Sequence, residues 1–217
     1  FYLERGDRAA AVATWTSHLQ LVQETRPRMG AAASLMKLGL DDLAEETARS
    51  CVGRSDIATN IAQLFLFELH HSRGRSDDAR SALRAIERDA APDAAVRLEV
   101  SDAYERLGDK TSAVSVLQGL KDVRGERSGI DADIKLAFLC SEIGEEKRAQ
   151  DLWLELWGRV ESIPRRKFVE ERVMTVAARL GTLAGIAVDL ETRLAEGTAS
   201  DREAGMLISI YTRVNDA

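Results

Sequence analysis

Glycine recurs along this chain at a nearly constant interval. Gly6, Gly39, Gly74, Gly108, Gly144 and Gly181 are separated by steps of 33, 35, 34, 36 and 37 residues. Each follows an apolar or basic residue, and the residues after it are mostly polar, as in Leu107-Gly108-Asp109 and Ile143-Gly144-Glu145. Alanine stands five residues after the first five glycines, at Ala11, Ala44, Ala79, Ala113 and Ala149; Gly181 is followed instead by Ile186-Ala187. A further turn begins at Val214-Asn215-Asp216-Ala217. An even period of this length marks a stacked array, in which each unit buries its apolar face against its neighbours.

The physical content of the period is a helical hairpin. Glycine ends one helix in the left-handed conformation at no steric cost, and the polar residues after it open the next. A small residue five positions on lets the two helices approach. Nine residues past each glycine stand Trp15, Ala48, Leu83, Leu117, Trp153 and Leu190, and eight before the later five stand Ala31, Leu66, Val100, Leu136 and Val173. Those offsets give every helix one apolar stripe. Proline occurs three times, aromatics make up 5% of the chain, and Ala, Leu, Glu and Arg are abundant, all of which favour helix over strand. The pattern predicts helices over 8–23, 28–38, 42–52, 57–72, 77–89, 93–107, 110–122, 130–143, 146–161, 166–180, 184–195 and 201–214, with the longest loop at Lys121–Gly129.

These residues resemble the tetratricopeptide repeat (TPR) family over essentially the whole chain. The turn glycine and the small residue at +5 match the family, and Tyr104 and Tyr211 match its first-helix aromatic. The family's first-helix tryptophan is replaced by Arg28, Gln63, Arg97, Asp133 and Glu170, and its closing proline survives only as Pro27, Pro92 and Pro164. The resemblance implies an all-α fold, a right-handed α-solenoid of about six helix–turn–helix repeats forming a single array over 1–217. It also implies a groove lined by first helices, at about 13, 10, 6, 3 and 2 residues before each turn glycine. Arg26 and Phe168 stand at −13; Met29, Leu64, Leu98, Ile134 and Glu171 at −10; Glu68, Asp102 and Phe138 at −6. At −3 and −2 come Met36, Lys37, His71, Glu105, Arg106, Glu142 and Arg179. Such a groove has an apolar spine with acidic neighbours, suited to a partner segment with apolar anchors and basic charge; the competing reading of the −10 row is core. Members that clamp chaperone tails carry Lys, Asn and Arg at −10, −9 and −6, where this chain is mostly apolar or acidic.

Other chemistry is disfavoured. A net charge of −6 and a pI near 5.3 argue against binding nucleic acid. No apolar run approaches a membrane span, the best being Ile61–Leu69. Phosphate loops, paired-cysteine zinc patterns and nucleophile turns are missing, so neither catalysis nor a cofactor is expected. Cys51 and Cys140 read as buried reduced thiols, and His70 as a core residue beside an outward His71. Carboxylate pairs such as Asp41-Asp42 and Asp77-Asp78 fall at helix starts, where they complement the helix dipole. Arg165-Arg166-Lys167 reads as a solvated junction, and Trp157 as the most exposed of three core tryptophans. The expected function is a non-enzymatic protein-interaction scaffold. The alternatives are a periplasmic scaffold of a bacterial exopolysaccharide or protein export machine, and a regulatory repeat domain of a larger enzyme. The excess of arginine over lysine suggests a GC-rich bacterial source, and the start at Phe1 a fragment of a longer protein.

Overall fold

The computed structural model describes residues 7–22, 24–53, 58–89, 94–118 and 127–215. Among them are twelve helices and no strand: α1 (Arg8–Leu21), α2 (Thr25–Lys37), α3 (Asp41–Arg49), α4 (Ala58–Ser72), α5 (Ser76–Asp89), α6 (Ala94–Arg106), α7 (Lys110–Gln118), α8 (Arg127–Glu142), α9 (Glu146–Arg159), α10 (Ile163–Leu180), α11 (Leu183–Ala195) and α12 (Asp201–Asn215). Departures of three residues from the sequence pattern lie at helix starts and at the end of α3, which stops at Arg49 rather than at 52. Helices α2 and α10 begin three residues earlier than the pattern suggested and take Pro27 and Pro164 into their first turns. Proline fits there because the first amides of a helix have no intrahelical partner. Residues 127–129 of the expected loop form the first turn of α8. The rest of that loop, the Gly6 turn, and Asp216 and Ala217 of the last turn lie outside the described residues.

The described turns at the periodic glycines share one hydrogen-bond pattern. Gly108 sits at φ 72° and donates its N–H to Glu105 O at 2.8 Å, while Asp109 N donates to Tyr104 O at 2.9 Å. This double bond satisfies carbonyls that the ending helix would leave open. Asp109 also caps α7, because its carbonyl accepts from Ala113 N at 3.1 Å. One residue therefore closes one helix and opens the next. The same bonds recur at Gly39, Gly74, Gly144 and Gly181. Ala44, Ala79, Ala113 and Ala149 are fully buried, so a larger side chain there would hold the helices apart.

The chain divides into two compact units, within 1–116 and 117–217. In the first, α2 packs on α3 and α4 on α5, and each hairpin also meets the next. The links between hairpins repeat in position but not in chemistry. Glu45, six residues past Gly39, accepts from Arg75, one past Gly74, at 2.6 Å. Arg80, six past Gly74, stands 3.9 Å from Asp109, one past Gly108, with the charges exchanged. The two arginines that replace the first-helix tryptophan hold second helices by their C-terminal ends. Arg28 donates to Leu19 O and Val22 O at 3.2 and 2.8 Å and to Ser50 Oγ at 3.1 Å. Arg97 donates to Val116 O at 3.3 Å. A guanidinium at those carbonyls complements the negative end of the helix.

In the second unit α8 packs closely on α9, and α9 on α10. Gln150, six past Gly144, donates to the hydroxyl of Thr182, one past Gly181, repeating the link of the first unit in neutral form. At the junction cluster Arg165 and Lys167 are exposed; Arg165 stands 3.3 Å from the equally exposed Asp131, and Arg166 donates to Glu161 O at 2.9 Å. Trp157, expected to be the most exposed tryptophan, is only 8% exposed. Helix α12 covers it with the guanidinium of Arg202, 4.5 Å above the ring. That arginine also donates to Gly158 O at 3.2 Å. Trp15 is the half-buried one. Ser200 and Glu203 open α12 as a reciprocal box: Ser200 N donates to Glu203 Oε2 at 2.8 Å, and Glu203 N to Ser200 Oγ at 3.4 Å.

Candidate functional site

First helices of successive repeats touch in the first unit, α4 meeting both α2 and α6. Met29 is 8% exposed and belongs to the interior, while Leu64 and Leu98 at the same offset are half-buried. Met36 is half-buried against the cluster of Leu35, Leu40 and Ala44. Arg106 of α6 reaches back to Glu68 of α4 with a two-pronged contact at 2.6 and 3.1 Å. The same guanidinium lies 4.7 Å from the Phe67 ring, and His71 stacks on that ring at 5.6 Å. Asp102, Lys37 and Arg26 are exposed, and Glu105 is half-buried.

The second unit carries the remaining positions on α8 and α10. Ile134, Phe138 and Phe168 are half-buried; Glu142, Glu171 and Arg179 are exposed. Phe138 and Phe168 form a cluster with Trp153 of α9, ring centroids 5.1 to 6.1 Å apart. A cavity of about 290 Å³ opens over this cluster, walled by Phe138, Trp153, Val176, Thr175 and Ser141, with Glu142, Arg172 and Arg179 beside them. Arg179 pairs with Glu146 at 2.7 Å, and Ser141 donates to the same carboxylate at 3.2 Å. Arg172 lies 5.0 Å from the Phe138 ring and 5.2 Å from that of Phe168. Sequence reasoning passed over Arg172. The available signal was its place four residues after Phe168, on the same helix face.

A second cavity, of about 320 Å³, lies in the first unit among Arg49, Gln63, Leu66, His70, Asp78 and Ala82. His70 is 3% exposed, and its Nδ1 has no hydrogen-bond partner. Burial pushes its pKa below the usual histidine value, against a smaller opposing pull from Glu45. Burial would raise the Glu45 carboxyl, but the hydrogen bond from Arg75 and the charges of Arg49, His70 and Arg75 outweigh it and hold the group below the usual carboxylate range. Cys51 and Cys140 are free and buried, and burial pushes the Cys140 thiol up.

No family model matches the chain, and no curated protein matches it in sequence. Solved structures do match it. The crystal structure of nearly identical TPR-like repeats from a Podosopora anserina protein described as a kinesin light chain covers 90% of this chain and is itself covered in full, at 16% identity and a TM-score of 0.51. A point variant of those repeats covers 88% of this chain, with 96% of its own length matched, at 16% identity and a TM-score of 0.49. This chain has the fold of TPR-like helical repeats. At that identity the likeness concerns backbone geometry alone. What the TPR-like surface binds must be argued from its own side chains. Among the described residues no helix is long and apolar enough to cross a membrane.

Proposed function

We propose that the chain is a non-enzymatic interaction module whose first helices receive an extended or helical segment of a partner protein. The observation that carries this reading is the surface of α4 and α6. Leu64 and Leu98 stand half-buried there beside Asp102 and Glu105, while most side chains at core offsets of the same helices are fully buried. Half-open apolar side chains flanked by carboxylates suit a segment with apolar anchors and basic charge. Met29 is withdrawn from the surface by its burial, so the surface is centred on α4 and α6 rather than α2.

The test selects binding peptides from a random library on the full chain, then measures their affinity for Leu64→Glu and Leu98→Glu. Both variants should keep their helical circular dichroism and lose affinity at least tenfold. Folded variants with unchanged affinity would end the proposal.

A further inference from the structure

Four residues before its turn glycine, α4 carries a histidine where the other described repeats have Leu35, Tyr104, Cys140 and Ala177. None of those four gains a positive charge in acid. His70 is buried, and its Nδ1 has no hydrogen-bond partner. It lines the cavity of about 320 Å³, which follows the seam between α3 and the next hairpin: Arg49 comes from α3, Gln63 and Leu66 from α4, and Asp78 and Ala82 from α5. The acceptors along that seam are already engaged. Glu45 shares its carboxylate among Arg49, Arg73 and Arg75, and Asp78 stands 3.9 Å from Arg75. The other neighbours of α4 offer no acceptor either. Helix α2 meets it through the apolar cluster of Ala31 and Leu35, against which Phe65 packs. Arg106 of α6 pairs with Glu68, two residues from His70 and so on nearly the opposite face of α4. An imidazolium in the closed hairpin would therefore be a buried cation without an acceptor, beside three guanidiniums. In an opened hairpin water solvates it.

We infer that protonation of His70 opens the hairpin of α4 and α5 at its seam with α3, which makes this repeat an acid-sensitive joint of the first unit. Burial holds His70 below the usual histidine value while the hairpin is closed, with Glu45 and Asp78 pulling against it and Arg75 and Arg49 adding to it. The opened segment takes up its proton at the ordinary value of about 6.5. Closure is therefore fully favoured above that value and weakens as pH falls through it. A repeat array permits such an opening without unfolding the whole molecule, because each hairpin is held only by its neighbours. Leu64 lies on the same helix, so the opening removes it from the surface of α4 and α6. That consequence for a partner rests on the proposed function; the opening itself does not.

Amide exchange of the full chain, followed by mass spectrometry at about pH 7.5 and about pH 5.5 and corrected for the pH dependence of exchange itself, reads the opening directly. The amides of α4 and α5 are expected to open up to about tenfold more often at the lower pH, and those of α8 and α9 no more often. His70→Gln should remove the rise, and His71→Gln should keep it. Unchanged exchange in α4 and α5, an equal rise in α8 and α9, or a rise that persists in folded His70→Gln would each overturn the inference. A second measurement needs no variant: the imidazole of His70, followed by NMR in the unaltered chain, should keep its neutral form past the pH at which a free histidine titrates. Titration at the ordinary value would overturn the inference as well. Neither measurement uses a partner, so the joint is decided even where selection finds no peptide and the binding surface fails.

Discussion

The hairpins α8–α9 and α10–α11 turn on the same backbone geometry and yet pack differently. Gly144 and Gly181 both take positive φ, at 85° and 68°, and both close the preceding helix with the same pair of hydrogen bonds. Helices α8 and α9 then lie closely together, whereas α10 touches α11 far less than it touches α9. The difference sits five residues past the glycine. Ala149 is fully buried between its helices, while Ile186 in the same place is half-buried. The glycine reverses the chain; the small residue sets how close the two helices come. The interface of α8 and α9 is further filled by Trp153 against Phe138, which α11 cannot repeat with Leu190 in the tryptophan's place.

The largest effect is expected where that filling is removed. Trp153→Ala should cost about 3–5 kcal/mol in chemical denaturation, because a fully buried indole leaves both a lost contact and a cavity. Its counterpart Leu190→Ala, at 7% exposure and in a looser hairpin, should cost less. Equal costs would erase the distinction between the two hairpins. Next, Ala149→Ile copies the looser hairpin into the tighter one. Overpacking should cost about 1–3 kcal/mol, and amide exchange should quicken along α8 and α9 while α11 is unaffected.

Smaller still is the backbone cost. Gly144→Ala should destabilise by about 1–2 kcal/mol, since its φ of 85° is unfavourable for any residue with a Cβ. Gly158, inside α9 with open space around an added methyl group, should respond with the opposite sign: Gly158→Ala is expected to stabilise by up to about 1 kcal/mol. Thermal melts of the two variants check the pair.

Four residues before the turn the hairpins differ again, with His70 in α4, Cys140 in α8 and Ala177 in α10. His70 has a folded pKa lowered by burial, so the unfolded chain takes up its proton first. The stability this contributes is complete above the unfolded pKa of about 6.5 and is lost as pH falls below that value, by at most about 1.4 kcal/mol per pH unit. Glu45, also lowered, adds a loss of the same sign at more acid pH. Denaturation across this range should show the slope in the unaltered chain and a flatter one in His70→Gln. Cys140, whose thiol burial pushes up, stays protonated across this range and adds no acid response of its own.

The hairpins were legible in the sequence because glycine and alanine act through geometry, and geometry repeats. All twelve helices follow from the glycine period. Pro27 and Pro164 misled the helix starts only because proline is admissible in a first turn. The surface was less legible. The −10 offset left groove and core both open, and the row divides: Leu64 and Leu98 are half-buried, while Met29 is buried. Trp157 was misjudged because the side chain that covers it, Arg202, comes from α12, a pairing between helices that no single helix's periodicity contains.

The account stands on successive hairpins meeting in one alignment, six residues past one turn glycine against one residue past the next. A double-mutant cycle on Glu45 and Arg75 measures that alignment directly, with Glu45→Gln, Arg75→Gln and the double variant compared by chemical denaturation. If the two groups meet as described, the double variant loses clearly less stability than the two single losses combined. Losses that simply add would mean that Glu45 and Arg75 do not touch, and would contradict the stacking of the hairpins.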